Sequence, residues 1–336
     1  MNTPMDPDGP VRACAAPRFG VVVPCFNEGS GLDAFHCRLS AAMDGLGDAW
    51  EVLYVNDGST DDTLARLDAL ALADPHVALL NLSRNFGKEI ALTAGLDHVA
   101  ATGAVIVIDA DLQDPPELIP ELVAMWNQGF EMVYAQRRAR LGDSRTKRVT
   151  AHLFYRLMQR LTDRVMLPRD TGDFRLIGRR ALDGLLQLRE HHRFMKGLFA
   201  WVGFPSAAVL YDRVPRAAGR TSWNYWSLWN LAIEGITGFT VVPLKLATYL
   251  GLLVAAFALL FGGQLIVRTL LFGNSVPGYP SLMAVVLFLG GVQLMTLGVI
   301  GEYLGRIFNE TKRRPLYLVE RHRSAMPPQP DAPTGL

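Results

Sequence analysis

Two long uncharged stretches near the end of the chain constrain its fold more than any other feature. Leu246–Val267 and Ser281–Gly301 hold about 22 and about 21 residues without an acidic or basic side chain. At 1.5 Å per residue, a helix of that length crosses the roughly 30 Å hydrocarbon core of a bilayer. Because backbone polar groups inside lipid must be hydrogen-bonded within the segment, we expect two transmembrane helices.

Basic residues around these stretches predict the orientation of the two helices. The connecting loop carries only Arg268, whereas Arg306, Lys312, Arg313 and Arg314 follow the second stretch. By the positive-inside rule, we expect both ends of the hairpin and both chain termini to face the cytoplasm.

The chain also divides by composition. Its first residues are rich in Pro, Ala and Asp and lack the basic and apolar regions of a signal peptide. Trp223, Trp226 and Trp229 precede the first uncharged stretch and indicate helices at the headgroup level. We predict a disordered leader (1–18), a cytoplasmic α/β domain (19–212), juxtamembrane interfacial helices (213–243), a transmembrane hairpin (244–305) and a cytoplasmic C-terminal tail (306–336).

Charge and cysteine content narrow the classes of partner and compartment. The chain has 33 basic and 32 acidic side chains, so its overall charge gives no reason to expect nucleic acid as a partner. Cys14, Cys25 and Cys37 are odd in number and lack metal-ligand spacing, which is typical of free thiols in a reducing compartment.

Short apolar runs alternate with helix-length amphipathic segments from Phe19 to about Ala135, which is typical of parallel β-α units. Each run ends in polar side chains, and parallel strands bring those ends to one edge of the sheet, where open α/β sheets bind ligands. The predicted strands are Phe19–Pro24, Trp50–Val55, Val77–Leu82, Ala104–Ile108 and Met132–Ala135, with helices around Leu32–Leu46, Asp61–Ala73, Lys88–Ala101 and Pro116–Gln128.

The fourth apolar run carries the clearest chemical signal. Val105–Ile108 ends in Asp109 and Asp111, two carboxylates one residue apart. Mg²⁺ and Mn²⁺ prefer oxygen ligands, and they fill their remaining positions with water and substrate phosphate. The pattern therefore predicts a metal-diphosphate site. A second interpretation concerns the residues that follow, because Asp114 and Glu117 are also typical of a helix N-cap and capping box.

Two common nucleotide-binding folds are excluded by their loops. Asn27–Gly31 lacks the G-x-G-x-x-G order of a dinucleotide fold, and no P-loop sequence occurs in the chain. Further along, Arg137–Arg148 is basic and precedes an amphipathic segment, which favours either a solvated face or contact with anionic lipid. Asp170–Arg175 is either a turn that caps the following helix or part of a functional motif.

Three motifs in this order resemble family 2 glycosyltransferases of GT-A fold: Val21–Glu28, Val55–Asp61 and Asp109–Glu117. Within that family the chain is most similar to bacterial polyprenyl-phosphate glycosyltransferases, the bactoprenol glucosyl transferase group related to dolichyl-phosphate mannose synthase. The resemblance extends over about Phe19 to Tyr317. It implies a GT-A domain with a mostly parallel sheet, juxtamembrane helices and two transmembrane helices.

The resemblance also implies roles for individual residues. Asp109, Asp111 and Gln113 match the site for Mg²⁺ or Mn²⁺ and diphosphate, and Asp109, Asp111, Asp173 and Arg175 are the candidate catalytic residues. The implied donor-binding residues are Pro24, Asn27, Glu28, Asp57, Ser59, Arg84, Lys88 and Arg137, and the implied acceptor-phosphate residues are Arg148, Lys196, Arg213 and Arg220.

The activity implied is inverting transfer of a sugar, with glucose from UDP-glucose favoured, onto undecaprenyl phosphate at the cytoplasmic face of a bacterial inner membrane. A homo-oligomer such as a tetramer is implied, with no nucleic acid partner. Two alternatives stay open. A processive polysaccharide synthase shares the donor site, although the chain lacks Q-x-x-R-W and further spans. A non-catalytic membrane platform could use the same sheet to bind a nucleotide sugar.

Overall fold

The structure is a computed structural model that describes residues 17–138, 171–191, 193–211, 242–272 and 278–325. Predictions for residues 1–16 of the leader, for the basic amphipathic segment after Arg138 and for the juxtamembrane tryptophans lie outside the described residues. The same holds for Arg148, Arg213 and Arg220.

One mixed sheet forms the framework of the described α/β part of the chain. The strands are β1 Phe19–Cys25, β2 Trp50–Asn56, β3 Val77–Leu82, β4 Ala104–Val107, β5 Met132–Arg137, β6 Thr171–Gly178, β7 Ser206–Tyr211 and β8 Val319–Arg323. They lie in the order β7-β5-β6-β4-β1-β2-β3-β8. The pairs β4-β1, β1-β2 and β2-β3 are parallel, as are β5 and β7.

Helices cover both faces of this sheet, which explains why its central strands are buried along nearly their whole length and are mostly apolar. The helices are α1 Leu32–Asp44, α2 Thr63–Ala73, α3 Lys88–His98, α4 Ile119–Asn127, α5 Arg179–Leu186, α6 Met195–Trp201, α7 Val242–Phe272 and α8 Tyr279–Thr311. Val21 and Val23 face a core that includes α1, α2 and α4, whereas Val22 faces a second core with α3, α5 and α6.

Strand β6 is the main departure from the sequence-based expectations. The segment that follows Asp170 forms neither a turn nor a helix cap, because Thr171–Gly178 is a strand antiparallel to both β4 and β5. Val107 pairs with Arg175, and the same register two residues further places Asp109 opposite Asp173. The interpretation of this segment as a turn is therefore wrong, and the strand brings its carboxylate to the Asp-x-Asp edge.

The helix start at Pro116 also differs from one prediction. Pro115 occupies the N-cap of the short 3-10 helix Pro116–Leu118, and no side chain caps it. Asp114 instead accepts a hydrogen bond from the Tyr211 hydroxyl, and Glu117 pairs with Arg38 at 2.8 Å. The N-cap and capping-box interpretation is therefore wrong, because both carboxylates have partners from distant elements.

The C-terminal part holds a helical hairpin followed by a strand. Leu244–Gln264 in α7 and Phe288–Thr311 in α8 are long and apolar enough to cross a membrane by length and composition. Many of their apolar side chains lie on the outside of the protein: Leu260 is 76% exposed and Leu294 is 70% exposed. Beyond the hairpin, β8 returns to the sheet and pairs antiparallel with β3. The predicted C-terminal tail therefore contains a strand of the sheet.

Candidate active site

The loops after β1 and β2 are tied together at one edge of the sheet. Asn27 adopts a positive φ of 56°, and its side-chain oxygen accepts a hydrogen bond of 2.8 Å from the Thr60 backbone N–H. In return, the Asn27 N–H donates to the Ser59 hydroxyl at 3.1 Å, and the Glu28 N–H donates to the Thr63 hydroxyl at 3.0 Å. The residues of these two loops that are predicted to bind the nucleotide sugar therefore belong to one hydrogen-bonded unit.

Asp57 joins a third loop to this unit. Its carboxylate is buried and accepts hydrogen bonds from the backbone N–H groups of Phe86 and Gly87, at 2.7 and 2.9 Å. Burial raises the pKa of Asp57, although these two hydrogen bonds oppose the rise. Gly58 has a φ of +65°, and a Cβ there would lie 2.5 Å from the backbone of Arg84 and Asn85. Only glycine allows the two loops to approach this closely.

Lys88 lies between two carboxylates at the same edge. Its ammonium group is 2.7 Å from Asp109 Oδ2 and 2.6 Å from Asp173 Oδ2. Its side chain is 46% exposed, so the cluster is open to a ligand. Burial lowers the pKa of Lys88, but the two carboxylates raise it by more, and the net pKa is well above its ordinary value.

The two carboxylates respond differently to this shared cation. Burial raises the pKa of Asp109, and the negative charges of Asp173 and Asp111 add to the rise against the opposing effect of Lys88. Burial also acts to raise the pKa of Asp173, but Lys88 and Lys196 outweigh it, so this carboxyl titrates below its usual range. Asp173 is therefore the firmly ionised member of the pair.

Arg175 is buried behind this cluster rather than exposed at the edge. Its guanidinium donates to the carbonyl oxygens of Asp173 and Gly172, at 3.2 and 2.9 Å, and lies 3.8 Å from the centre of the Phe199 ring. Burial lowers the pKa of Arg175 to about 10, which still leaves it protonated at neutral pH. The contacts described for this predicted catalytic residue hold the backbone that carries Asp173.

Glu89 is a charged residue of the site that the sequence did not single out. Its Oε2 accepts a 3.2 Å hydrogen bond from the Met195 N–H at the start of α6. Burial raises the pKa of Glu89 to about 7, and the charge of Asp173 adds to the rise. Lys196, predicted near the acceptor phosphate, has its pKa lowered by burial despite the opposing charges of Asp173 and Glu89. Only its position next to Lys88 could have drawn attention to Glu89.

The Asp109–Gln113 segment provides the chemistry for a hard divalent cation. Asp111 accepts a 3.0 Å hydrogen bond from the Gln113 N–H, and Leu112 between them has a φ of 57°. Gln113 is buried, and its Nε2 has no hydrogen-bond partner among the residues that the structure describes. Asp111 is close enough for its charge to raise the pKa of Asp109, and a bound cation would relieve that repulsion.

The residues present fit a divalent-cation site in which substrate phosphate would supply some of the ligands. Within the described ranges, no group of three or more His, Cys, Asp or Glu side chains is gathered around one point that could hold a metal ion. A pair of carboxylates is nevertheless sufficient for Mg²⁺, which keeps positions for water and substrate phosphates. Asp109 and Asp111 therefore fit such a cation, with Gln113 beside them.

The remaining residues predicted to bind the nucleotide sugar lie on both sides of the Lys88–Asp109–Asp173 cluster. Pro24 pairs with Val55 within the sheet, and the Arg84 guanidinium lies 4.3 Å from the centre of the Phe86 ring. Arg137, at the end of β5, donates to the Tyr211 hydroxyl at 3.4 Å.

Tyr211 is a second residue that the sequence did not identify. Its hydroxyl is held between Arg137 and Asp114, and burial together with Asp114 raises the pKa of Tyr211 to about 12. The hydroxyl therefore remains a hydrogen-bond donor throughout the neutral range.

The fold and the edge chemistry define the class of the protein. A mostly parallel sheet ends in Asp-x-Asp at a central strand, and an antiparallel strand supplies a further carboxylate beside it. This is a glycosyltransferase domain of GT-A type, as the sequence predicted. The chain belongs to glycosyl transferase family 2: residues 20–186 match that family, and residues 242–307 match the family described as the GtrB C-terminal hairpin.

Named relatives extend over nearly the whole chain. An uncharacterized glycosyltransferase of Synechocystis sp. is 52% identical over 89% of this chain and 93% of its own length. A prophage bactoprenol glucosyl transferase homolog of Escherichia coli is 46% identical over 90% and 99%. The bactoprenol glucosyl transferase of Shigella phage SfII is 46% identical over 92% and 100%. The resemblance inferred from the three motifs is thereby confirmed.

Among solved structures, a glucosyl-3-phosphoglycerate synthase from Mycobacterium tuberculosis, in complex with Mn²⁺, UDP-glucose and phosphoglyceric acid, is similar to part of the chain. The match has a TM-score of 0.44 and 22% identity, and it covers 66% of this chain and 78% of that one.

Proposed function

We propose that this protein transfers glucose from UDP-glucose to undecaprenyl phosphate at the cytoplasmic face of a bacterial inner membrane. The observation that carries the proposal is the Lys88–Asp109–Asp173 cluster at the edge of a GT-A sheet. It occurs in a chain that is 46% identical to bactoprenol glucosyl transferases over their whole length, hairpin included.

The acceptor makes few demands on proton transfer. A phosphate monoester carries about −1.5 to −2 charge at pH 7 because its second pKa is near 6. It is therefore already a nucleophile, and no general base has to remove a proton from it. The reaction is a single displacement at the anomeric carbon with inversion, and Asp109 and Asp111 serve in it as cation-holding carboxylates.

Charge balance is the main requirement of such a site, because acceptor and donor are both anions. Asp109, Asp111 and Asp173 with Lys88 leave two net negative charges, which one divalent cation balances. Mg²⁺ or Mn²⁺ bound at Asp109 and Asp111 would act as a Lewis acid for the departing diphosphate. Lys88 holds Asp109 and Asp173 in place, while Lys196 and Arg175 add positive charge behind them.

The hairpin supplies membrane attachment in this proposal. We expect α7 and α8 to span the bilayer with both chain termini on the cytoplasmic side, where the sheet meets the lipid-borne phosphate. At Gly290, Gly291, Gly298 and Gly301, a Cβ would meet no heavy atom of the described residues within 4 Å, apart from its chain neighbours and the backbone of the adjacent turns of its own helix. Small residues of this kind allow helices to approach closely, which supports packing between copies in a homo-oligomer.

A donor screen tests the proposal directly. Purified protein is mixed with undecaprenyl phosphate, Mg²⁺ and radiolabelled UDP-glucose, UDP-GlcNAc or GDP-mannose, and label is followed into organic-extractable lipid. We expect acid-labile lipid label from UDP-glucose and none when EDTA is present. Label from another donor only would contradict the choice of sugar. Tight binding of UDP-glucose without any lipid product would favour the non-catalytic platform, and a growing polymer would favour a processive synthase.

A further inference from the structure

Glu320 lies in β8, after the membrane hairpin, at an irregular point of the sheet. Asn81 of β3 pairs with Arg321 and Leu82 pairs with Val319, so Glu320 is the extra residue of a bulge. Bulges turn a side chain away from the direction that regular pairing would give it. Here the Glu320 carboxylate meets the side chain of Asn81, with 2.6 Å between Asn81 Nδ2 and Glu320 Oε2.

A chain of hydrogen bonds continues from that contact to the loop after β2. Asn56 Nδ2 donates to Asn81 Oδ1 at 2.6 Å, and the backbone N–H of Ser59 donates to Asn56 Oδ1 at 3.3 Å. Asn56 and Asn81 are only 1% and 5% exposed, so water has little access to either amide. An amide that loses its partner there would carry the cost of an unpaired buried polar group.

The two ends of this relay determine its direction. A backbone N–H can only donate, and a glutamate carboxylate serves as acceptor. If Ser59 donates to the Asn56 oxygen, the Asn56 amino group must face the Asn81 oxygen, and the Asn81 amino group must face Glu320. Each amide therefore has a single orientation that satisfies both of its neighbours, and Glu320 provides the acceptor that this orientation requires at the end of the relay.

We propose that Glu320 is a positioning residue for donor binding, acting through Asn81 and Asn56 on the Ser59 loop. The inference rests on the proposed function, since Asp57 and Ser59 are the predicted donor contacts of that loop. The Ser59 hydroxyl also accepts from the Asn27 N–H, so the relay reaches both loops of the donor side. Donor affinity thus depends on a strand that follows the membrane hairpin.

The first test compares donor kinetics of three variants in the full-length protein. We expect Glu320→Ala to raise the KM for UDP-glucose about tenfold with kcat unchanged, as for the loss of one hydrogen bond to a charged group. Glu320→Gln retains an acceptor oxygen and should restore the KM. The matched control is Arg321→Ala, which removes the ion pair with Asp68 from the same strand and leaves the relay intact.

The second test needs no substrate. Hydrogen exchange of the peptide spanning residues 56–60 is measured in ligand-free protein, because the Ser59 N–H is the last donor of the relay. We expect faster exchange in Glu320→Ala than in the wild type or Arg321→Ala. Unchanged exchange and KM in an active Glu320→Ala protein, or equal changes in both alanine variants, would overturn the inference. A wild-type protein that transfers no sugar refutes the proposed function instead, and exchange still decides the relay.

Discussion

Replacing Glu89 with Gln should change how the stability of the protein depends on pH. Glu89 is half-buried beside Asp173, and burial with that negative charge raises its pKa from 4.5 to about 7. In the unfolded chain the glutamate ionises near its ordinary pKa, whereas the folded protein keeps the proton to about pH 7. The contribution of Glu89 to the free energy of unfolding is therefore fully present below pH 4.5 and is lost as the pH rises toward and through 7.

The size of this loss follows from the two pKa values. At about 1.4 kcal/mol for each pH unit, the gap between 4.5 and about 7 gives roughly 3 kcal/mol at pH 8, as an upper limit. Gln is neutral and retains an oxygen to accept the Met195 N–H. Glu89→Gln should therefore match the wild type near pH 4.5 and be more stable at pH 8.

Thermal unfolding in detergent at several pH values measures this difference. We expect the melting temperatures of the two proteins to be equal at acidic pH. As the pH rises to about 7, the melting temperature of the variant should become progressively higher than that of the wild type. A difference in melting temperature that stays constant across this pH range would refute the argument, because it would mean that Glu89 has the same pKa in the folded and unfolded chain.

Three further predictions concern the edge of the sheet. Gly58→Ala should lower the free energy of unfolding by about 3 kcal/mol or more, because the new Cβ would clash with the backbone of the neighbouring loop. The control is Gly47→Ala, which has a similar φ but open space around the Cβ and should lower it by only about 1 kcal/mol. Chemical denaturation measures both free energies, and equal losses would contradict the clash. Asp111→Asn should reduce sugar transfer at limiting Mg²⁺ on the order of 100-fold, and near-normal turnover there would exclude its metal role. Tyr211→Phe should destabilise the protein by about 1–3 kcal/mol, because Asp114 loses its donor; an unchanged melting temperature would count against this contact.

The sequence predicted the parallel part of the sheet because its physical signal is local. Strands β1 to β4 are buried on both faces, so they read as continuous apolar runs with polar side chains immediately after them. The family resemblance was likewise carried by contiguous motifs. The edge that collects Asn27, Asp57 and Asp109 could therefore be predicted, since parallel strands align their carboxyl ends.

The missed elements depend on partners that lie far away in the chain. β6 begins with polar residues, and its central position is favoured only once β4 and β5 provide hydrogen bonds on both sides. β8 reads Val-Glu-Arg-His-Arg, which has no apolar alternation and gains its pairing from the edge of β3. Lys88 and Asp173 are 85 positions apart, and Asp114 and Tyr211 are 97 apart, so no spacing rule could join them.

The position of β8 means that the helical hairpin α7-α8 is an insertion between two strands of the sheet rather than an extension at its end. The chain leaves the sheet after β7, passes through α7 and α8, and rejoins the sheet at its opposite edge. Cutting the chain before the hairpin would therefore also remove an edge strand and leave β3 with unpaired backbone groups, which favours aggregation. A soluble catalytic fragment would instead require the hairpin to be excised and residues 315–325 to be joined back by a linker.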